Sequence, residues 1–129
     1  MSSYFNTVAL IPIHSITINI DGGSSTPITG VRGRWSAPND CTITGWMLCS
    51  DAVGSAVIDV LRSNYAAFPA TASIAGTDLP TLSTIQKAEN LGPLSNWGST
   101  AILAGDVIEF NLVSVTTCKL LSLTLNLET

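Results

Sequence analysis

Between Ala104 and Leu127 apolar and polar residues alternate in two successive runs, a pattern that leaves this chain little choice but an antiparallel β-fold. After Gly105 and Asp106, the residues Ile108, Phe110 and Leu112 interleave with Glu109 and Asn111. Beyond a polar break at Ser114 to Thr117, Leu121, Leu123, Leu125 and Leu127 interleave with Ser122, Thr124, Asn126 and Glu128. Successive side chains of a strand point to opposite faces, so each run buries one face and exposes the other. Two such runs joined by a short break predict an antiparallel hairpin, the floor of a β-sandwich.

The remaining segments carry the same signature. Ile16, Ile18 and Ile20 form a strand that ends in the turn Asp21 to Ser25. A strand follows around Val31 to Trp35, with Gly30 and Gly33 marking bends or bulges. Cys41 to Ser50 is the next strand. Its apolar phase slips at Gly45, since Cys41 and Ile43 share one face and Trp46 and Leu48 the other parity, which predicts a bulge. Asp51 to Ser55 has turn composition and leads into Ala56 to Arg62. There Ile58 and Val60 share one face while Val57 and Leu61 flank Asp59 on the other, so the strand is central or covered. A long loop, Ser63 to Pro80, carries Tyr65 and Phe68. Ser83 and Gln86 stand at capping-box spacing and predict a short helical turn over 83–89. Met1 to His14, with Tyr4, Phe5, Val8, Leu10 and Ile11, is apolar and interrupted by Pro12, an arm or edge strand. The expectation is one all-β domain over residues 15–129: a jelly-roll-like antiparallel sandwich of about eight strands, preceded by an arm over residues 1–14.

Composition narrows the function classes. Charged residues make up only 11% of the 129 residues, and thirty Ser and Thr supply much of the polar surface. Hydroxyls lose less hydration free energy than charges when covered, which suits broad protein or saccharide contacts. A net charge of −4, with Arg32 and Arg34 as the one close basic pair, provides no basic face for nucleic acid. No apolar run has the ~18 residues of a membrane span, and no signal-peptide pattern opens the chain. Cys41, Cys49 and Cys118 are odd in number and lack CxxC spacing, which points to three buried, reduced thiols and a reducing cytoplasm rather than a disulfide framework or zinc site.

Catalytic chemistry finds little purchase. His14 is the one histidine and has no acidic neighbour in sequence. Asp21, Asp40, Asp51, Asp78 and Asp106 lie in or beside turns, where aspartate bonds to backbone N–H groups. Asp59 and Glu109 sit mid-strand at outward positions, as solvated face charges rather than a facing glycosidase pair. No calcium-loop or phosphate-loop spacing is present, and no metal or cofactor is expected. Trp46 follows the core phase. Trp97, between Asn96 and Gly98, is the tryptophan expected to be exposed and able to stack on a sugar or a partner.

An ordered set of segments resembles a β-sandwich domain of tailed-bacteriophage virion proteins. The set is Ile18 to Gly23, Cys41 to Trp46, Gly54 to Val60, Tyr65, Phe68-Pro69, Ser73-Ile74, Pro80 to Ser83, Trp97 and Ile102 to Phe110. Leu61-Arg62 departs from the Trp-Lys of that pattern, and Asn96-Trp97-Gly98 from Gly-Trp-Thr. The resemblance implies a non-enzymatic virion protein, made in the host cytoplasm, in one of two roles. One is a capsid decoration (cement) protein, a homotrimer bound to the major capsid protein; the other is a receptor-binding or tail-fibre tip that recognises a host glycan or surface protein. A short chain beginning at Met1 without shaft repeats favours the first. The contact residues expected are Tyr4, Phe5, Val8, Leu10 and Ile11 of the arm, with Val57, Leu61, Tyr65 and Trp97 on the body.

Overall fold

The computed structural model describes residues 14–129, so the expected arm contacts Tyr4, Phe5, Val8, Leu10 and Ile11 lie outside the described residues. Eight strands follow in order: β1 (Ser15–Asp21), β2 (Gly30–Ser36), β3 (Cys41–Ser63), β4 (Ala72–Ser73), β5 (Thr81–Asn90), β6 (Ala101–Ile102), β7 (Val107–Thr116) and β8 (Leu120–Glu128). All pair antiparallel in one curled sheet that closes over its own core as a sandwich. No helix occurs among the described residues.

The sheet is organised by β3. The composition of Asp51 to Ser55 predicts a turn, yet the strand runs through it without interruption for 23 residues. Its first half, Thr42 to Ser50, pairs with β8, and its second half, Ser55 to Ser63, pairs with β7. The two partners therefore belong to different layers: β1–β8–β3 in one, β2–β7–β3 in the other. The expected β7–β8 hairpin is thus corrected. The two strands do not pair with each other; residues 117–119 form an arch across the sandwich. Alternation specifies which face of a strand is buried, and it is blind to whether the neighbour lies beside it or across the core.

The inner faces meet in one apolar cluster. Ile20, Leu48, Trp46, Leu121, Leu123 and Leu125 come from the first layer, and Ile58, Val60, Ile108, Phe110 and Leu112 from the second. Bulges occur between Ile43 and Gly45 on β3, where the apolar phase slips, and between Val31 and Gly33 on β2, where the shift turns Val31 to the outer face. At the second, a side chain on Gly33 would come 2.9 Å from the Ile18 Cγ2, so the glycine lets the two layers close at this edge.

The expected helical turn over 83–89 is absent, because Thr81–Asn90 is strand β5, paired along both halves of β3. Ser83 does not cap a helix; a ladder to β3 satisfies backbone groups that an isolated helical turn would leave partly unpaired. Thr84 holds positive φ, 52°, where β5 follows the bend of β3, and its N–H donates to Ser55 Oγ at 3.0 Å.

Candidate functional site

The sandwich presents two outer faces with opposite characters. On the first layer, cross-strand register lines up Thr17, Thr124 and Met47 in one row and Asn19, Ser122 and Cys49 in the next. None of these carries charge. Thr17 Oγ1 and Thr124 Oγ1 lie 2.9 Å apart, and Ser122 Oγ donates to Asn19 Oδ1 at 2.6 Å. These bonds hold the hydroxyls and amide in place, so a partner covering the face would have less rotamer freedom to remove. Lys87 and Glu89 of β5 continue the two rows at the sheet edge.

The second layer carries the loop that follows β3. Arg34, Glu109, Leu61 and Ser73 form one row across β2, β7, β3 and β4. Glu109 is only 5% exposed, which corrects the expectation of a solvated charge. Arg34 Nε donates to its Oε2, Thr71 Oγ1 to its Oε1, and the Phe68 ring lies 5.7 Å from the Arg34 guanidinium carbon. The loop thus closes over a carboxylate that is bonded on both oxygens. Asp59, near it on the same face, accepts from Ser73 Oγ at 2.7 Å. Asn64 starts the loop by accepting the Ala67 N–H on its Oδ1 at 2.7 Å. Held this way, the loop presents Tyr65 at 84% exposure beside an open cleft of about 580 Å³ lined by Ser36, Ala66, Phe68, Gly105 and Val107.

The candidate contact residues of the body separate. Val57 and Leu61 lie half-buried on the outer face of the second layer, with Tyr65 in the loop that follows. Trp97 does not join them. It is 7% exposed, and its Nε1 donates to the Asp78 carbonyl at 3.0 Å, so the expectation of an exposed tryptophan is corrected. Its large apolar area pins residues 94–98 onto the core and against the 75–79 turn. Phe68 and Gly105 complete the Tyr65 cleft; their place in it comes from the loop's fold, and no periodicity in the sequence marks it.

The acidic residues expected in turns do structural work. Asp21 Oδ1 accepts from Gly23 N, Asp40 Oδ1 from Ala104 N, and Asp78 Oδ2 from Asn90 Nδ2. Asp106, buried, accepts from Arg62 Nε at 2.7 Å and Leu103 N at 2.8 Å on Oδ2. Asp51 Oδ1 accepts the N–H groups of Lys119 and Leu120, and these bonds hold its carboxyl below the ordinary aspartate value. Among the described residues no three His, Cys, Asp or Glu stand close enough to share a metal ion. The three cysteines are free, but only Cys41 and Cys118 are buried; Cys49 is exposed on the outer face, between Ser122 and Lys87. Burial first, then the Asp40 and Asp106 carboxylates, push the Cys41 thiol above its ordinary range, which leaves it a poor nucleophile.

No protein-family model matches the chain, and no curated protein matches it. Among solved structures it is similar to a carbohydrate-binding module of a glycoside hydrolase family 9 protein from Ruminococcus flavefaciens, at 14% identity over 91% of this chain and 100% of that one, TM-score 0.45. It is also similar to the Drosophila NLP core, at 11% identity over 91% and 100% of the chains, TM-score 0.45. The globular domain of zebrafish complement 1qA protein aligns at 7% identity over 90% and 96%, again with TM-score 0.45. None of these likenesses supplies a functional argument for this chain.

Proposed function

We propose that this protein is a non-enzymatic virion structural protein that decorates a bacteriophage capsid, docking on the head surface through the outer face of its first layer. The observation that carries this reading is the uncharged, internally bonded face built from Thr17, Asn19, Met47, Cys49, Ser122 and Thr124. A patch without charges can be covered by a large protein surface at low desolvation cost, and binding to the assembled shell stabilises that shell by mass action. Residues 1–13 supply further apolar contacts. The test is occupancy on purified capsids: Thr124→Lys and a deletion of residues 1–13 each lower it, while thermal unfolding of Thr124→Lys stays near that of the parent. Labelling found only at the tail, with bare heads, would overturn the proposal.

A second reading, a receptor-binding tip that recognises a host glycan, is favoured by one observation, the exposed Tyr65 held beside its cleft. An aromatic ring presented on a hydrogen-bonded loop can stack on the apolar face of a sugar. On this reading Tyr65→Ala abolishes adsorption to host cells, and Trp97 contributes only through the fold.

A further inference from the structure

β5 is an edge strand. Its ladder to β3 occupies one side, and among the described residues no strand pairs with the other side between Ile85 and Asn90. Lys87 and Glu89 project from it to the outer face, and neither has an ion-pair partner among the described residues. Ile85, at 47% exposure, and Leu91, at 63%, flank them. Free backbone groups on a sheet edge are a template for another strand.

We infer that β5 pairs antiparallel with β5 of a second copy of this chain, about a two-fold axis at Ala88. The choice of register follows from charge. Opposed residues of an antiparallel pair share a face, so in a two-fold pairing that continues the sheet the axis passes through a single residue. An axis at Lys87 would oppose lysine to lysine, and one at Glu89 would oppose glutamate to glutamate, both unfavourable. An axis at Gln86 would set Lys87 against Ile85 and run the ladder into the positive-φ kink at Thr84. An axis at Ala88 sets Lys87 of each copy against Glu89 of the other, twice, and Ile85 against Leu91, twice. The small Ala88 meets its own counterpart on the inner face. The interface is isologous, as closed two-fold dimers require. It joins the uncharged outer faces of two molecules into one platform, with its edge charges neutralised at the seam.

Sedimentation equilibrium of the full chain tests this. The expected result is a dimer of about 27 kDa, twice the 13.5 kDa of the chain. Glu89→Lys places lysine opposite lysine at both contacts and raises the dimer dissociation constant at least tenfold, as Lys87→Glu does with glutamates. The double variant Lys87→Glu/Glu89→Lys restores the opposed signs and returns the dissociation constant to within about threefold of the parent. A monomeric or trimeric parent overturns the inference, and so does a dimer indifferent to the single reversals or not rescued by the double one. Because Lys87 and Glu89 are exposed, circular dichroism of all three variants should match the parent.

Discussion

Gly54 lies directly beneath Cys118: a Cβ placed on the glycine would come 2.7 Å from the thiol sulfur and 2.5 Å from the Thr116 carbonyl oxygen. The contact joins the bend of β3 to the arch between β7 and β8. The chain changes layers twice at this end of the sandwich, once through β3 and once through the arch, and each crossing is seated on the other.

Gly54→Ala therefore forces the end of β7 at Thr116, and the arch that follows it, outward, since a carbonyl oxygen cannot rotate away as a side-chain tip can. The expected cost is about 2 kcal/mol, the ordinary range for overpacking, read as a lower midpoint in urea unfolding. A substitution without effect would show that the arch is not seated on the bend.

The same junction sets an acid sensitivity. Asp51 accepts two arch N–H groups, and its folded pKa lies below the ordinary value near 3.8. A carboxyl with a depressed folded pKa contributes stability that is complete above its unfolded pKa and is lost as pH falls through the folded value. The urea midpoint of the parent should therefore fall on acidification below about pH 4. Asp51→Asn keeps an acceptor oxygen but cannot titrate, so its midpoint should fall less over the same range.

Much of this architecture is legible in the residues. The phase slip around Gly45 marks the bulge between Ile43 and Gly45, because the alternation of Cys41, Ile43, Trp46 and Leu48 cannot otherwise stay on one face. The doubly apolar pattern of Val57, Ile58, Val60 and Leu61 marks a central strand, and β3 is flanked on both sides there. What escapes the sequence is set by partners distant in the chain. Asp51 to Ser55 has turn composition but is held extended where β5 pairs with β3 on both sides of the bend. The capping-box spacing of Ser83 and Gln86 yields to the same ladder. Glu109 sits at an outward position, and only the fold of the 64–71 loop reveals that Arg34 and Thr71 cover it. Trp97 lies in a stretch without periodicity, where burial leaves no pattern to read.

At the opposite end, Asp106 ties three segments, two through its carboxylate and one through its main-chain carbonyl. Its Oδ2 accepts from Arg62 at the end of β3 and from Leu103 before β7, and its carbonyl accepts the Ala37 N–H at 2.9 Å. Asp106→Ala leaves a largely buried guanidinium and a backbone N–H without their acceptor, which costs about 3 kcal/mol. Asp106→Asn keeps an acceptor but loses the charge and costs about 1 kcal/mol. Chemical denaturation of the pair separates the ionic from the hydrogen-bonding contribution; equal losses would place the whole effect in the charge.

Trp97 and Tyr65 make opposite predictions that separate scaffold from surface. Trp97 buries its ring against the core and donates its indole N–H to Asp78, so Trp97→Ala leaves a cavity and an unpaired carbonyl and costs about 3 kcal/mol or more. Tyr65 is exposed, and the bonds that shape its loop run through Asn64, Thr71 and Phe68 instead, so Tyr65→Ala should stay within about 0.5 kcal/mol of the parent. Thermal unfolding of both variants checks the two values. If the surface around Tyr65 recognises a partner, Tyr65→Ala loses binding at unchanged stability. Trp97→Ala loses binding only in proportion to the fraction unfolded, and a low temperature that refolds it restores that binding. Loss of binding in a fully folded Trp97→Ala would instead place the tryptophan's loop in the contact.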